Sequence, residues 1–106
     1  MIRKKQPMGF TAISKFKVKN NMEDEVRKAF KNRPGFVEDA DGFVGLNVLS
    51  PRDNPAEFWL ITHWKDEESF HHWHKHHRTE SHQFIPKGLK LVKDSFSLDF
   101  FDHITS

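Results

Sequence analysis

Apolar and polar residues follow two different periods along this chain. "GFTAISKFKVK" (Gly9–Lys19) alternates, with Ala12, Ser14, Phe16 and Val18 on one side and Lys15 and Lys17 on the other, which predicts a first strand. From Asn20 to Arg33 the period lengthens: Met22, Val26, Ala29 and Phe30 form a helical stripe. Acids crowd its first turn and bases its last, Asn20 or Asn21 is placed to cap it, and Pro34 lies just beyond. "RPGFVEDADG" then reads as a connection. "FVGLNVLSP" (Phe43–Pro51) and "AEFWLITHW" (Ala56–Trp64) predict a strand pair around the turn "SPRDNP". The helical period returns over Lys65–His77, with Asp66 as N-cap and Phe70, Trp73 and His77 on one face. "RTESHQF" predicts a further short helical turn. Ile85–Ser95, broken by Pro86 and Gly88, predicts a loop, and Phe96–Ile104 a fourth strand.

The predicted order is β-α-β-β-α-β. It defines an α+β, ferredoxin-like domain with an antiparallel sheet and both helices on one face. Residues 9–106 form this single domain, after a loose N-terminus at 1–8. The third strand sends Phe58, Leu60, Thr62 and Trp64 to one side and Trp59, Ile61 and His63 to the other. Both sides are largely apolar, yet helices cover only one. A second apolar sheet face implies a partner surface.

Composition narrows the functional classes. A length of 106 residues suits one domain. Cysteine is absent, which excludes disulfides, thiolate metal sites and thiol catalysis. Bases and acids are interspersed at a net charge of +2, with no basic stripe of the kind that tracks phosphate, so no nucleic-acid partner is expected. No apolar run approaches the roughly 20 residues of a membrane helix, and "MIRKKQPMGF" has no apolar segment of a signal peptide behind its charges. The expectation is a cytoplasmic protein with no membrane contact. Phenylalanine, at eleven copies with no tyrosine, supplies apolar wall without hydroxyls.

The chemistry concentrates in "FHHWHKHHRTESH", Phe70 to His82, which carries six of the eight histidines. His72 and His76 stand at i, i+4; His71 with His74, and His74 with His77, stand at i, i+3. Such spacings suit zinc or nickel. Against a catalytic metal, there is no HExxH motif and no acidic third ligand at a diagnostic spacing, and a histidine-rich solvated helix face explains the same pattern. A haem site asks for less: one neutral imidazole, an apolar cleft and a few polar groups opposite. Spacing alone does not choose among these three readings.

Three segments, "PGFVEDADGFVGLNVL", "EFWLITHWKDEESFHHW" and "SHQFIPKGLKL", resemble the antibiotic biosynthesis monooxygenase (ABM) superfamily, and most of all its haem-degrading, IsdG-type branch. The resemblance runs from about Phe10 to Ile104. It implies ferredoxin-like protomers paired into a dimeric α+β barrel. It also implies oxidative haem cleavage with iron release, with haem as both substrate and cofactor, O2, and electrons from an external donor or unidentified reductase. In the branch's pattern, His82 matches the iron ligand and Trp73 the tryptophan that lies against the macrocycle. The distal asparagine falls on Ser14, a departure, since serine is shorter and lacks the amide. Phe16, Phe58 and Phe70 are candidates for apolar wall, and Arg78 (or Lys87), on charge alone, for the haem carboxylates. The superfamily also contains cofactor-free oxygenases acting on aromatic, polyketide-like substrates. A dimeric protein that holds a small planar ligand without turning it over is the third alternative.

Overall fold

The computed structural model describes residues 9–32, 37–76 and 88–105 in full, together with the backbone of 77–81. The segment read as a loose N-terminus, and His82 and Lys87, lie outside the described residues. Four strands, β1 (Phe10–Lys17), β2 (Phe43–Leu49), β3 (Glu57–Trp64) and β4 (Ser97–Asp102), form one antiparallel sheet in the order β2-β3-β1-β4. Helices α1 (Glu23–Lys31) and α2 (Glu67–Ser81) follow β1 and β3. This is the expected α+β, ferredoxin-like arrangement. Among the described residues no helix is long and apolar enough to cross a membrane.

Two local expectations are corrected. Asn20 and Asn21 do not cap α1. Both have positive φ, 63° and 56°, a region that asparagine tolerates better than most side chains. They reverse the chain after β1, and α1 starts behind Met22 with no side-chain cap. The second helix does not stop at His77; it continues to Ser81, because no breaker occurs before Pro86. Its start is as expected. The Asp66 carboxylate accepts hydrogen bonds from the Ser69 backbone N–H at 2.8 Å and from its hydroxyl at 2.7 Å. These bonds, the hydroxyl's first, hold the Asp66 carboxyl below its ordinary value.

Register sorts the side chains. Phe10 faces Trp64 across β1 and β3, Ala12 faces Thr62, Ser14 faces Leu60, and Phe16 faces Phe58. Every one of these lies on the helix side of the sheet. The apolar residues there form two separate clusters. One, under α2, comprises Phe10, Ala12, Val37, Trp64 and Phe70, with Phe43, Leu46, Trp73 and Leu98 against it. The other, under α1, comprises Val18, Val26 and Phe58, with Phe16, Phe30 and Val48 against it. Trp64 is fully buried and donates its indole N–H to the Thr62 hydroxyl at 2.8 Å.

A close approach at the edge of this layer ties α2 to the turn before β2. Gly42 has φ +80°, its carbonyl accepts from the Lys65 N–H at 2.7 Å, and a Cβ there would stand 2.2 Å from the Ser69 hydroxyl oxygen. Gly42→Ala is therefore expected to destabilise the fold by more than about 1 kcal/mol, since strain and overlap act together. Urea unfolding of the two proteins checks this; an unchanged midpoint would refute the argument.

Candidate functional site

The gap between the two clusters is the candidate site. It follows from one rung of the sheet: Val48, Leu60, Ser14 and Leu98 lie side by side across β2, β3, β1 and β4. Leu60 packs into neither cluster, and Ser14 is only half-buried. Ser14 is thus a hydroxyl at the middle of an otherwise apolar floor. On either side the walls rise, Phe58 with Phe16 and Phe30 under α1, and Phe70 with Trp73 on α2. A cavity of about 320 Å³ opens on the α1 side, lined by Phe58, Phe30, Leu46 and Val48, with Arg27 and Lys31 among its cations.

Arg27 is held in place rather than loose. Its guanidinium donates to the Pro55 carbonyl at 2.8 Å, lies 3.5 Å from the Asp24 carboxylate and sits 5.3 Å from the Phe58 ring centre. This lining was not singled out in the sequence. The signal present there was the i, i+4 spacing of Arg27 and Lys31 beside the Val26–Phe30 stripe, which by itself describes any amphipathic helix.

The α2 wall is aromatic. Phe70 is almost fully buried and meets Phe10, Trp64 and Phe100 at ring-centre distances of 6.0, 5.8 and 5.5 Å, so it serves the core under α2. Phe58 is similarly buried, yet also lines the cavity, and stacks on Phe16 at 5.8 Å. Trp73 is half-buried, 5.8 Å from Trp64, and its indole N–H is buried without a hydrogen-bond partner among the described residues. An unpaired buried donor costs about 1–3 kcal/mol.

The other histidines divide by position. His71 bonds the Glu67 carboxylate at 2.9 Å on an exposed turn, and His74 stacks on Phe70 at 5.4 Å. His63 and His103 lie on the far side of the sheet, where both bond the Thr11 hydroxyl. Among the described residues no group of three or more histidine or carboxylate side chains could hold a metal ion. The expected iron ligand, His82, lies outside the described residues, as does the side chain of Arg78.

Comparison with known proteins fixes the family. The model of the antibiotic biosynthesis monooxygenase family matches residues 9–84. The chain belongs to this family. A mycobilin-producing haem oxygenase of Mycobacterium tuberculosis is 30% identical over 100 residues, covering 87% of this chain and 92% of that one. The solved structure of a haem-degrading protein from the same organism, with two haems in its active site, superimposes with a TM-score of 0.75. Its identity is 24%, and the match covers 92% of this chain and 97% of that one. A cofactor-independent oxygenase from Streptomyces nogalater gives a TM-score of 0.72 at 19% identity, covering 93% and 96% of the two chains. Both structures show the shared fold. Proteins that share this fold thus include a haem degrader and a cofactor-independent oxygenase.

The two tryptophans of the α2 cluster give a direct check of the site's polar accounting. Trp64→Phe and Trp73→Phe remove the same atoms, but only the first breaks a buried hydrogen bond and strands the Thr62 hydroxyl. Trp64→Phe is expected to cost about 1–3 kcal/mol more in urea unfolding. Equal losses would mean that the Trp73 N–H is paired after all.

Proposed function

We propose that the protein is a haem-binding monooxygenase that cleaves haem oxidatively and releases its iron. The single observation that carries this is the cavity of about 320 Å³ on the α1 side, walled by Phe58, Phe30, Leu46 and Val48, with the Ser14 hydroxyl on the same rung of the sheet as Val48. The cavity suits a planar apolar molecule, and the cations Arg27 and Lys31 beside it suit a ligand with carboxylates on one edge. A relative at 30% identity is a haem oxygenase, which supports the same reading.

Bound haem would supply an iron centre able to activate O2 with electrons from an external donor, and the macrocycle that is oxidised. This chain's residues have distinct tasks around it. His82 would hold the iron through its imidazole. Ser14 would donate a hydrogen bond to the bound molecule. Trp73 would set its ring against the macrocycle. Phe16, Phe58 and Phe70 keep water out, the first two at the cleft and Phe70 by fixing α2 on the sheet. Arg78 joins Arg27 and Lys31 in meeting the carboxylates.

A haemin titration tests the assignment. His82→Ala should lose the spectral signature of a histidine-bound ferric iron and weaken haemin binding. Ser14→Asn should leave that signature intact and speed bleaching of the Soret band with ascorbate in air, since a hydrogen bond there contributes about 0.5–1.5 kcal/mol. An unaltered Soret band and affinity in His82→Ala would overturn the haem reading in favour of a cofactor-free oxygenase. A histidine-type Soret band that never bleaches would favour a binder without turnover.

The working unit is a homodimer, with the helix-free sheet faces of two copies packed together. Trp59 and Ile61 on that face are only half-buried in one protomer. Light scattering at micromolar concentration should return twice the 12.6 kDa of one chain; the mass of a single chain would refute the dimer.

A further inference from the structure

We infer that the outer face of α2 carries a second, separate site: a two-imidazole chelate, formed by His72 and His76, for a divalent ion of the later first transition row, Cu(II) before Ni(II). The haem reading leaves these two residues without a task. Both are exposed, one helical turn apart, while Phe70 and Trp73 on the same helix turn inward to Trp64. Their rings are close, with centres 4.5 Å apart.

That distance has a coordination meaning. A ligating imidazole nitrogen stands about 2.0–2.1 Å from its metal, which puts the ring centre about 3.2 Å from the ion. Two such rings at a right angle are then about 4.5 Å apart, and at the tetrahedral angle about 5.2 Å. The observed spacing is within the range two imidazoles on one ion require. Square-planar and tetragonal nitrogen sites are the habit of Cu(II) and Ni(II), and Cu(II) also leads the affinity order of the row.

No third side chain among the described residues completes the site. Positions of the ion that no side chain fills would hold water. Glu68, one turn before His72, adds a negative charge to the same stripe. Fe(II) stands low in the same order, so the chelate is not suited to retaining iron freed in the cleft. Binding of an ion across one turn would also stiffen α2, because it ties two positions of the helix together.

The test uses the full chain prepared without a polyhistidine tag and without haem, so that its failure and failure of the haem assignment are separate results. Cu(II) is titrated by calorimetry and by electron paramagnetic resonance. One Cu(II) per chain should bind with nitrogen hyperfine structure, in the affinity order Cu(II), Ni(II), Zn(II). His72→Ala and His76→Ala should each weaken this binding at least tenfold, and His71→Ala, whose ring is held by Glu67, should leave it unchanged. The ion should raise the thermal midpoint of the wild-type chain and of His71→Ala, but not of the other two. Binding that survives in both His72→Ala and His76→Ala would overturn the proposal, as would tighter binding of Zn(II) than of Cu(II).

Discussion

Strand β1 is hydrogen-bonded on both sides, and everything else in the domain is placed by its register. Its neighbours β3 and β4 meet it residue for residue, so the alternation in Phe10–Lys17 propagates across the sheet. Phe10, Ala12, Ser14 and Phe16 must all face the helices, because a one-residue slip would send them together to the far side and bring the lysines in. Two of these four are large and lie at the ends, and two are small and lie between. Large side chains at the ends give each helix an apolar seat of its own. Ala12 is buried in the α2 seat, which leaves Ser14 as the half-buried residue between the two.

A core divided in this way costs stability, since packed interiors gain from continuous contact. The domain offsets this with aromatic density. Trp64 alone meets Phe43, Phe70 and Trp73 at 5.6–5.8 Å, and Phe58 meets Phe16 and Phe30 at 5.8 and 6.3 Å. Such pairs contribute beyond the area they bury, about 0.5–1.5 kcal/mol each. The large phenylalanine count thus stabilises two small half-cores that lack each other's support. Leaving out the hydroxyl of tyrosine avoids further buried donors in a layer that already holds one N–H unpaired among the described residues, at Trp73.

The strands and their facing residues were legible because a period of two is a local property. Phe58, Leu60, Thr62 and Trp64 share a face whatever the rest of the chain does. The helix ends were less legible, because they depend on backbone conformation. Asn20 and Asn21 are good caps by type, but the chain uses their tolerance of positive φ instead. The side of the sheet that Ser14 and Trp73 take was legible, because it depends only on the period of their own elements. The site was not legible where it depends on which elements meet. Arg27, Phe30 and Leu46 come from α1 and β2, and nothing in their spacing says that they close one cavity. Family resemblance supplied His82, which no periodicity would have separated from its five neighbours in the histidine-rich run.

The helix-free face of the sheet carries polar groups in the form that burial requires. Thr11 is buried, and its hydroxyl lies 2.9 Å from His63 Nδ1 and 2.5 Å from His103 Nε2. A hydroxyl has one proton to give, so with neutral rings one imidazole accepts it and the other donates to the oxygen, which couples their tautomers. Gly9 makes room for this, since a Cβ there would stand 2.6 Å from the His103 ring. Two rungs away, Trp59 donates its N–H to the Glu57 carboxylate at 2.6 Å, and the Lys15 ammonium lies 4.0 Å from the Trp59 ring centre. A second copy covering this face would remove water from the Thr11, His63, His103 and Trp59 groups, which already have partners, and that is the condition for desolvating them at small cost. The half-buried Ile13 and Ile61 between these groups, paired across β1 and β3, would then contribute their apolar area in full. Asn47 and Asp99, exposed on the same rung as these isoleucines, are the polar groups that a partner copy would have to meet.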